Sequence, residues 1–139
     1  MIARALRQLG LLLAVALLPA LVSGAIQLKW NKEEPLREGE VRLATAQLWG
    51  AAVLWVDARP RARFEREHIP GAVLLNEDEW EQLVPGFLDA WNPEQTIVVY
   101  CDGGECDASH AVGRRLKEEL KLDNSIWVLK GGWDAWRRR

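Results

Sequence analysis

From Val41 onward, short apolar runs alternate with stretches whose apolar residues recur at helical spacing. That alternation predicts an α/β fold: strands that are apolar throughout are covered on both faces, which calls for helices on both sides of a central, mainly parallel sheet. A brief strand is expected over Val41 to Leu43, and a short helix from Ala44 to Trp49. Val53 to Val56 (VLWV) reads as a buried strand ending at Asp57, and Pro60 opens the next helix, where its missing N–H costs nothing. Ala72 to Leu75 forms another strand after the Pro70-Gly71 turn. Trp80, Leu83, Val84, Phe87 and Leu88 predict a helix within residues 78–91, interrupted or kinked at Pro85 and Gly86. The clearest strand is Thr96 to Tyr100 (TIVVY). After it, Ala108, Ala111, Val112, Leu116 and Leu120 share one helical face; Ile126 to Leu129 is the last strand, and Gly131-Gly132 turns the chain into a terminal helix bearing Trp133 and Trp136.

The start of the chain follows another pattern. Arg4 and Arg7 precede an uncharged, apolar stretch from Gln8 to Gln27, long enough to cross a hydrocarbon core of about 30 Å. The same stretch reads as a signal peptide, with an apolar core from Leu9 to Leu18, Pro19, and small residues at Ser23, Gly24 and Ala25. Lys29 and Trp30 at its end suit a retained N-terminal hydrophobic helix, so residues 1–28 are read as an anchor, with a cleaved leader as the alternative. The basic start places the following domain in the periplasm or outside the cell. Residues 29–40, charged and carrying Pro35 and Gly39, read as a linker, leaving 41–139 as the domain.

Composition narrows the function. The chain has 139 residues, 49% hydrophobic and 27% charged, the balance of a folded globular protein. Without Arg4 and Arg7, 16 basic residues face 20 acidic ones, so nucleic acid is not an expected partner. The eight tryptophans are scattered, which favours packing over a stacking platform. The two cysteines and two histidines match no zinc spacing, and no phosphate- or dinucleotide-binding glycine pattern occurs; neither a metal nor a cofactor is expected.

Candidate chemistry gathers in Tyr100 to Val112 (YCDGGECDASHAV), which joins a buried strand to a helix. Ligands of open α/β sheets bind beyond the carboxyl ends of strands, where Cys101 sits. Gly103 and Gly104 let the backbone curl with its N–H groups inward, and the next helix start adds partial positive charge, both favourable to a thiolate or persulfide. Asp102, Glu105 and Asp107 oppose this if they point inward, since carboxylates disfavour a thiolate. Asp107 or Ser109 is a candidate cap for the helix that follows the loop. Cys106, five residues after Cys101, is close enough in sequence to form a disulfide, which leaves open a redox switch, a persulfide-resolving pair or a plain staple.

Three segments together resemble the rhodanese (sulfurtransferase) family: DARPRARFEREHIPGAV from Asp57 to Val73, VVYC with its glycine-bearing loop, and VLKGGWDAW from Val128 to Trp136. The resemblance implies a three-layer rhodanese-like domain in which Cys101 accepts a sulfane sulfur as a persulfide and passes it on. Its partners would be a small sulfur donor and a thiol acceptor. Many active members of the family carry an arginine and then a serine or threonine five residues after the cysteine; this chain has Cys106 and Asp107 there. If the loop is counted as longer, Ser109 takes the serine's role, and the arginine is still missing. The resemblance therefore supports either a sulfurtransferase or thiol-redox enzyme, or a catalytically inactive module that binds at the same loop. Phosphatase or arsenate-reductase chemistry, known in structural relatives, would need the absent arginine.

Asp57 and Arg59 end a strand on the side of Cys101, where they line the pocket or form an internal ion pair. His68, just before Ile69-Pro70-Gly71, reads as a turn-fixing imidazole bonded to backbone. His110 is a candidate proton shuttle, although one turn into a helix a surface position is the simpler reading. The topology carries its own test: the full-length chain should sediment with membranes after cell fractionation, and a full-length chain found wholly in the soluble cytoplasmic fraction would reject the anchor.

Overall fold

The computed structural model describes residues 34–104, 106–122 and 125–139. Five strands form one sheet: β1 (Glu40–Val41), β2 (Val53–Asp57), β3 (Val73–Leu74), β4 (Thr96–Tyr100) and β5 (Ile126–Leu129). Their order is β1-β5-β4-β2-β3, and every pairing is parallel. Between them run helices α1 (Leu43–Leu48), α2 (Arg61–Arg66), α3 (Trp80–Ala90), α4 (Ala108–Glu118) and α5 (Gly132–Arg137), with a 3₁₀ turn at Gly50–Ala52. Leu36–Arg139 forms one compact unit.

The two sheet faces divide the core by residue parity. Leu54, Val56, Ile97, Val99 and Ile126 pack with Trp80, Phe87, Val112 and Leu116 of α3 and α4. The alternate residues Val53, Val98, Tyr100 and Leu129 pack with Ala46 of α1, Ile69 and Trp133 of α5. This is the double covering that the uninterrupted apolar strands demanded, since successive side chains of a strand point to opposite faces. The tryptophans pack in the same layers: Trp49 lies against Trp127 and Trp55 against Trp136, with ring centroids 6.1 and 5.6 Å apart.

Several boundaries depart from the sequence reading. Glu40, assigned above to the linker, is buried in β1, which ends at Val41 rather than Leu43. It is carried inward by its pairing with Val128 at the sheet edge, and its carboxylate finds donors there. Pro85 does not interrupt α3. Pro85 and Gly86 lie on the exposed side of the helix, while Trp80 and Phe87 hold the opposite side in the core. The expected N-terminal hydrophobic helix and the beginning of the linker lie outside the described residues; among the described residues no helix is long and apolar enough to cross a membrane.

Chain direction reverses across the sheet between β2 and β4. From β2 the chain moves outward to β3, then crosses back to β4 on the other side. Asp57 pairs with Tyr100 in register, so the residues that follow them, Ala58 and Cys101, emerge side by side at this switch point. Phe87, fully buried against this sheet, supplies a direct check on the packing. Phe87→Ala should lower the unfolding free energy by about 3–5 kcal/mol in urea denaturation, because the vacated volume cannot collapse completely.

Candidate active site

The loop from Cys101 to Asp107 leaves the central strand and enters α4. Two contacts from the β5–α5 turn hold it: the Trp133 N–H donates to the Cys101 carbonyl at 2.7 Å, and the Asp134 N–H donates to the Asp102 carbonyl at 2.9 Å. Gly132 makes this approach possible. Its φ of +49° suits glycine, and a β-carbon there would collide with the Cys101 carbonyl oxygen. Gly103 repeats the constraint from the other side, since at φ +151° a β-carbon would come within 2.8 Å of the Asp134 carboxylate. Loop and turn are therefore fitted backbone to backbone.

Cys101 is buried, 5% exposed, and Cys106 is half-buried; the two form a disulfide with Cα atoms 6.4 Å apart. Ser109 is fully buried, and its hydroxyl lies 3.4 Å from Cys101 Sγ and 3.4 Å from the Cys106 carbonyl. Cys101 Sγ itself is 3.6 Å from that carbonyl. Ser109 therefore does not cap α4; neither does Asp107, which takes the N-cap position with no side-chain capping bond and points to solvent. Ser109 reaches the sulfur because the first turn of α4 carries it under the loop, Ala108 packing beside it toward the core.

The loop carboxylates are placed in different environments. Asp102 lies 3.7 Å from Arg59 and 3.4 Å from Arg63, which offset its charge. Glu105 lies outside the described residues. Arg59 does not replace the missing loop cation: its guanidinium makes a buried fork to Asp57, with Nε at 2.9 Å and Nη2 at 2.7 Å, and Nη2 also donates to the Glu67 carbonyl. The guanidinium stacks over Trp133, 4.6 Å from the ring centre. Burial disfavours its charge, but Asp57 more than compensates and holds Arg59 protonated above its ordinary range. On the same face, burial and then Asp57 push the Tyr100 phenol far above its usual range; its oxygen accepts from the Ile69 N–H at 3.1 Å. His68 is stacked on Phe64, with Nδ1 bonded to the Phe64 carbonyl at 2.8 Å.

A narrow cleft opens on the cysteine pair, walled by Ser109 and His110 on α4, Glu40 on β1 with Arg37 just before it, and Lys130 after β5. Glu40 is its hub. The carboxylate accepts from the Arg37 N–H at 2.8 Å and lies 3.5 Å from His110 Nε2 and 3.6 Å from Lys130 Nζ. Burial alone would raise the Glu40 pKa; the Arg37 backbone bond, Lys130 and His110 together bring it below the ordinary carboxylate range. Sequence reasoning missed Glu40, Arg37 and Lys130. Their only local signal was charge beside an apolar edge strand, and β1 lies far from β5 and α4 along the chain. A second concavity, about 270 Å³, opens beside Asp102 and is lined by Arg59, Arg63, Arg66, Arg137 and Trp133 among others. No group of residues able to hold a metal ion occurs among the described residues.

The site is thus a cysteine loop at the switch point of a five-stranded, all-parallel sheet flanked by helices. Residues 40–139 match the family model described as Rhodanese-like domain, and the chain belongs to that family. Among solved structures it is similar to the BH2092 protein of Bacillus halodurans, at 18% identity and a TM-score of 0.59, covering 86% of this chain and 81% of that one. It is also similar to a rhodanese-related protein of Thermoplasma volcanium, at 16% identity and a TM-score of 0.53, covering 71% and 90%. A third likeness is to a Rhodopseudomonas palustris protein described as a possible tyrosine phosphatase, at 23% identity and a TM-score of 0.51, covering 71% and 79%. At these identities the likeness is one of fold. No curated protein matches the chain by sequence.

The Asp57–Arg59 fork is the site's buried scaffold, and breaking it from one side leaves a carboxylate without its partner. Arg59→Met should cost about 3–5 kcal/mol of stability in urea denaturation; a loss below about 1 kcal/mol, the size of a surface ion pair, would contradict the buried role.

Proposed function

We propose that this protein is a thiol-dependent sulfur-handling enzyme in which Cys101 takes a sulfane sulfur from a small donor as a persulfide, and Cys106 is its redox partner. The single observation that carries the reading is the placement of Cys101. Its sulfur lies at the carboxyl end of the central strand, beneath a polar cleft, within reach of both the Ser109 hydroxyl and Cys106. A hydroxyl donating to sulfur stabilises the thiolate, the form that attacks a sulfur donor. Asp102, expected to oppose that charge, is instead offset by Arg59 and Arg63. A location outside the cytoplasm, proposed from the basic and then apolar start of the chain, suits a protein whose two cysteines are bridged.

A second reading is favoured by one observation: among the described loop residues none is cationic, and Arg59 is committed to Asp57. On that reading the domain is a non-catalytic rhodanese module that binds a partner at the loop. The same lack weighs against phosphoryl transfer, whose transition state needs a cationic clamp.

Mass spectrometry after incubation of the reduced protein with thiosulfate or an organic persulfide decides between the two. The enzyme reading expects Cys101 of the Cys106→Ser variant, where no second thiol can displace it, to gain the mass of one sulfur atom and cyanide to remove it as thiocyanate, with Cys101→Ser abolishing both. Cys101 left unmodified by either donor in Cys106→Ser would leave the binding module as the function.

A further inference from the structure

We infer that the sulfur taken up by Cys101 leaves the protein as sulfide, expelled when Cys106 attacks the Cys101 sulfur, with His110 carrying the proton from Cys106 to the departing sulfur. This rests on the persulfide reading and adds to it a product, a resolving residue and a proton carrier.

Access is the first argument. Cys101 lies at the floor of a narrow cleft and is 5% exposed, so a bulky external acceptor meets the loop before it meets the persulfide. Cys106 is already there. The folded loop holds the two cysteines at a Cα separation of 6.4 Å, within the span that a bridge requires, and joins them. An internal thiol in that position competes against external thiols with the advantage of an intramolecular reaction.

Balance is the second. Cys101 thiolate attacks the outer sulfur of thiosulfate; the donor's S–S bond breaks, sulfite leaves with the electron pair, and Cys101 carries S–S⁻. Cys106 then gives its proton to His110 and attacks Cys101 Sγ. The Cys101–Cys106 bond forms, the bond to the terminal sulfur breaks, and that sulfur departs with the electron pair, taking the proton from His110 as hydrosulfide. The two cysteines are each oxidised by one electron and the sulfane sulfur is reduced by two. An external dithiol restores both thiols by exchange and ends as a disulfide itself.

The cleft supplies what this step needs. Its nucleophile arrives protonated and its leaving group departs needing a proton, so a carrier that both donates and accepts near neutral pH is required, and imidazole is the side chain suited to it. His110 shares the cleft with both cysteines and is oriented by Glu40, whose side chain is only 6% exposed, at 3.5 Å from Nε2. A base held in place by a buried carboxylate beside a nucleophile is the general form of an activated thiol site. Lys130, on the other oxygen of Glu40, adds positive charge along the path of the hydrosulfide anion.

The experiment is a single turnover of the reduced full-length protein with thiosulfate, or with an organic persulfide, and no added thiol, reading free sulfide and protein mass together. Wild type should release one sulfide per chain as the Cys101–Cys106 bridge forms. Cys106→Ser should accumulate the Cys101 persulfide and release sulfide at least ~100-fold more slowly. His110→Ala should form persulfide normally, release sulfide about 100-fold more slowly, and recover on addition of free imidazole, a rescue that a structural role would not show. Persulfide on Cys101 with wild-type sulfide release in Cys106→Ser would overturn the inference and leave the sulfur-transfer reading standing. A His110→Ala protein unaffected, or slowed without rescue, would overturn the proton-carrier role. Failure of Cys101 to gain sulfur in any variant would overturn both readings at once.

Discussion

The fit of the β5–α5 turn against the backbone of the cysteine loop is the constraint on which the site depends. The carbonyl groups of Cys101 and Asp102 are both taken by N–H groups at the start of α5, so the main chain holds the loop in addition to its disulfide and the Asp102 ion pairs. Such an approach is possible only where no β-carbon intervenes, which is why Gly132 and Gly103 occupy their positions. Once the loop is pinned there, Ser109 falls under the Cys101 sulfur and Cys106 beside it.

Around that contact the protein keeps two charge arrangements apart. On one side, Asp57 and Arg59 form a buried fork beneath the Trp133 ring, with Arg59 Nε and Nη2 committed to Asp57 and the Glu67 carbonyl while Nη1 faces Asp102. Breaking such a pair from one side strands a charge, so it serves as scaffold and is poorly suited to binding substrate. On the other side, Glu40 gathers Arg37, Lys130 and His110 at the rim of the cleft that reaches the cysteines. The first arrangement holds the strand ends in place; the second opens onto the cysteine pair. None of the described loop residues is cationic; Arg63 and Lys130 stand on the elements around the loop.

Much of the fold was legible. TIVVY and IWVL, from Thr96 and Ile126, are strands with the predicted limits, because a strand apolar at every position has no alternative to burial on both faces. The helix after the loop followed from its apolar face. Pro85 misled, since a sequence shows that a proline falls within a helical pattern but not that it lies on the helix's exposed side. Glu40 misled more seriously. A charged residue after Gly39 reads as linker until β5, nearly 90 residues later, draws it into a sheet.

The sequence by itself determined the α/β class, the family to which the chain belongs, and the position of Cys101 at a strand end, since each of these is written in local periodicity and in short motifs of fixed spacing. Tertiary structure alone decided that Glu40 meets His110, that Gly132 meets the Cys101 carbonyl, and that Arg59 is forked onto Asp57. The reason is that strand order and register set these meetings. A β1-β5-β4-β2-β3 sheet brings the beginning of the domain beside its end, and no local pattern along the chain specifies which distant side chains that closure will place in contact.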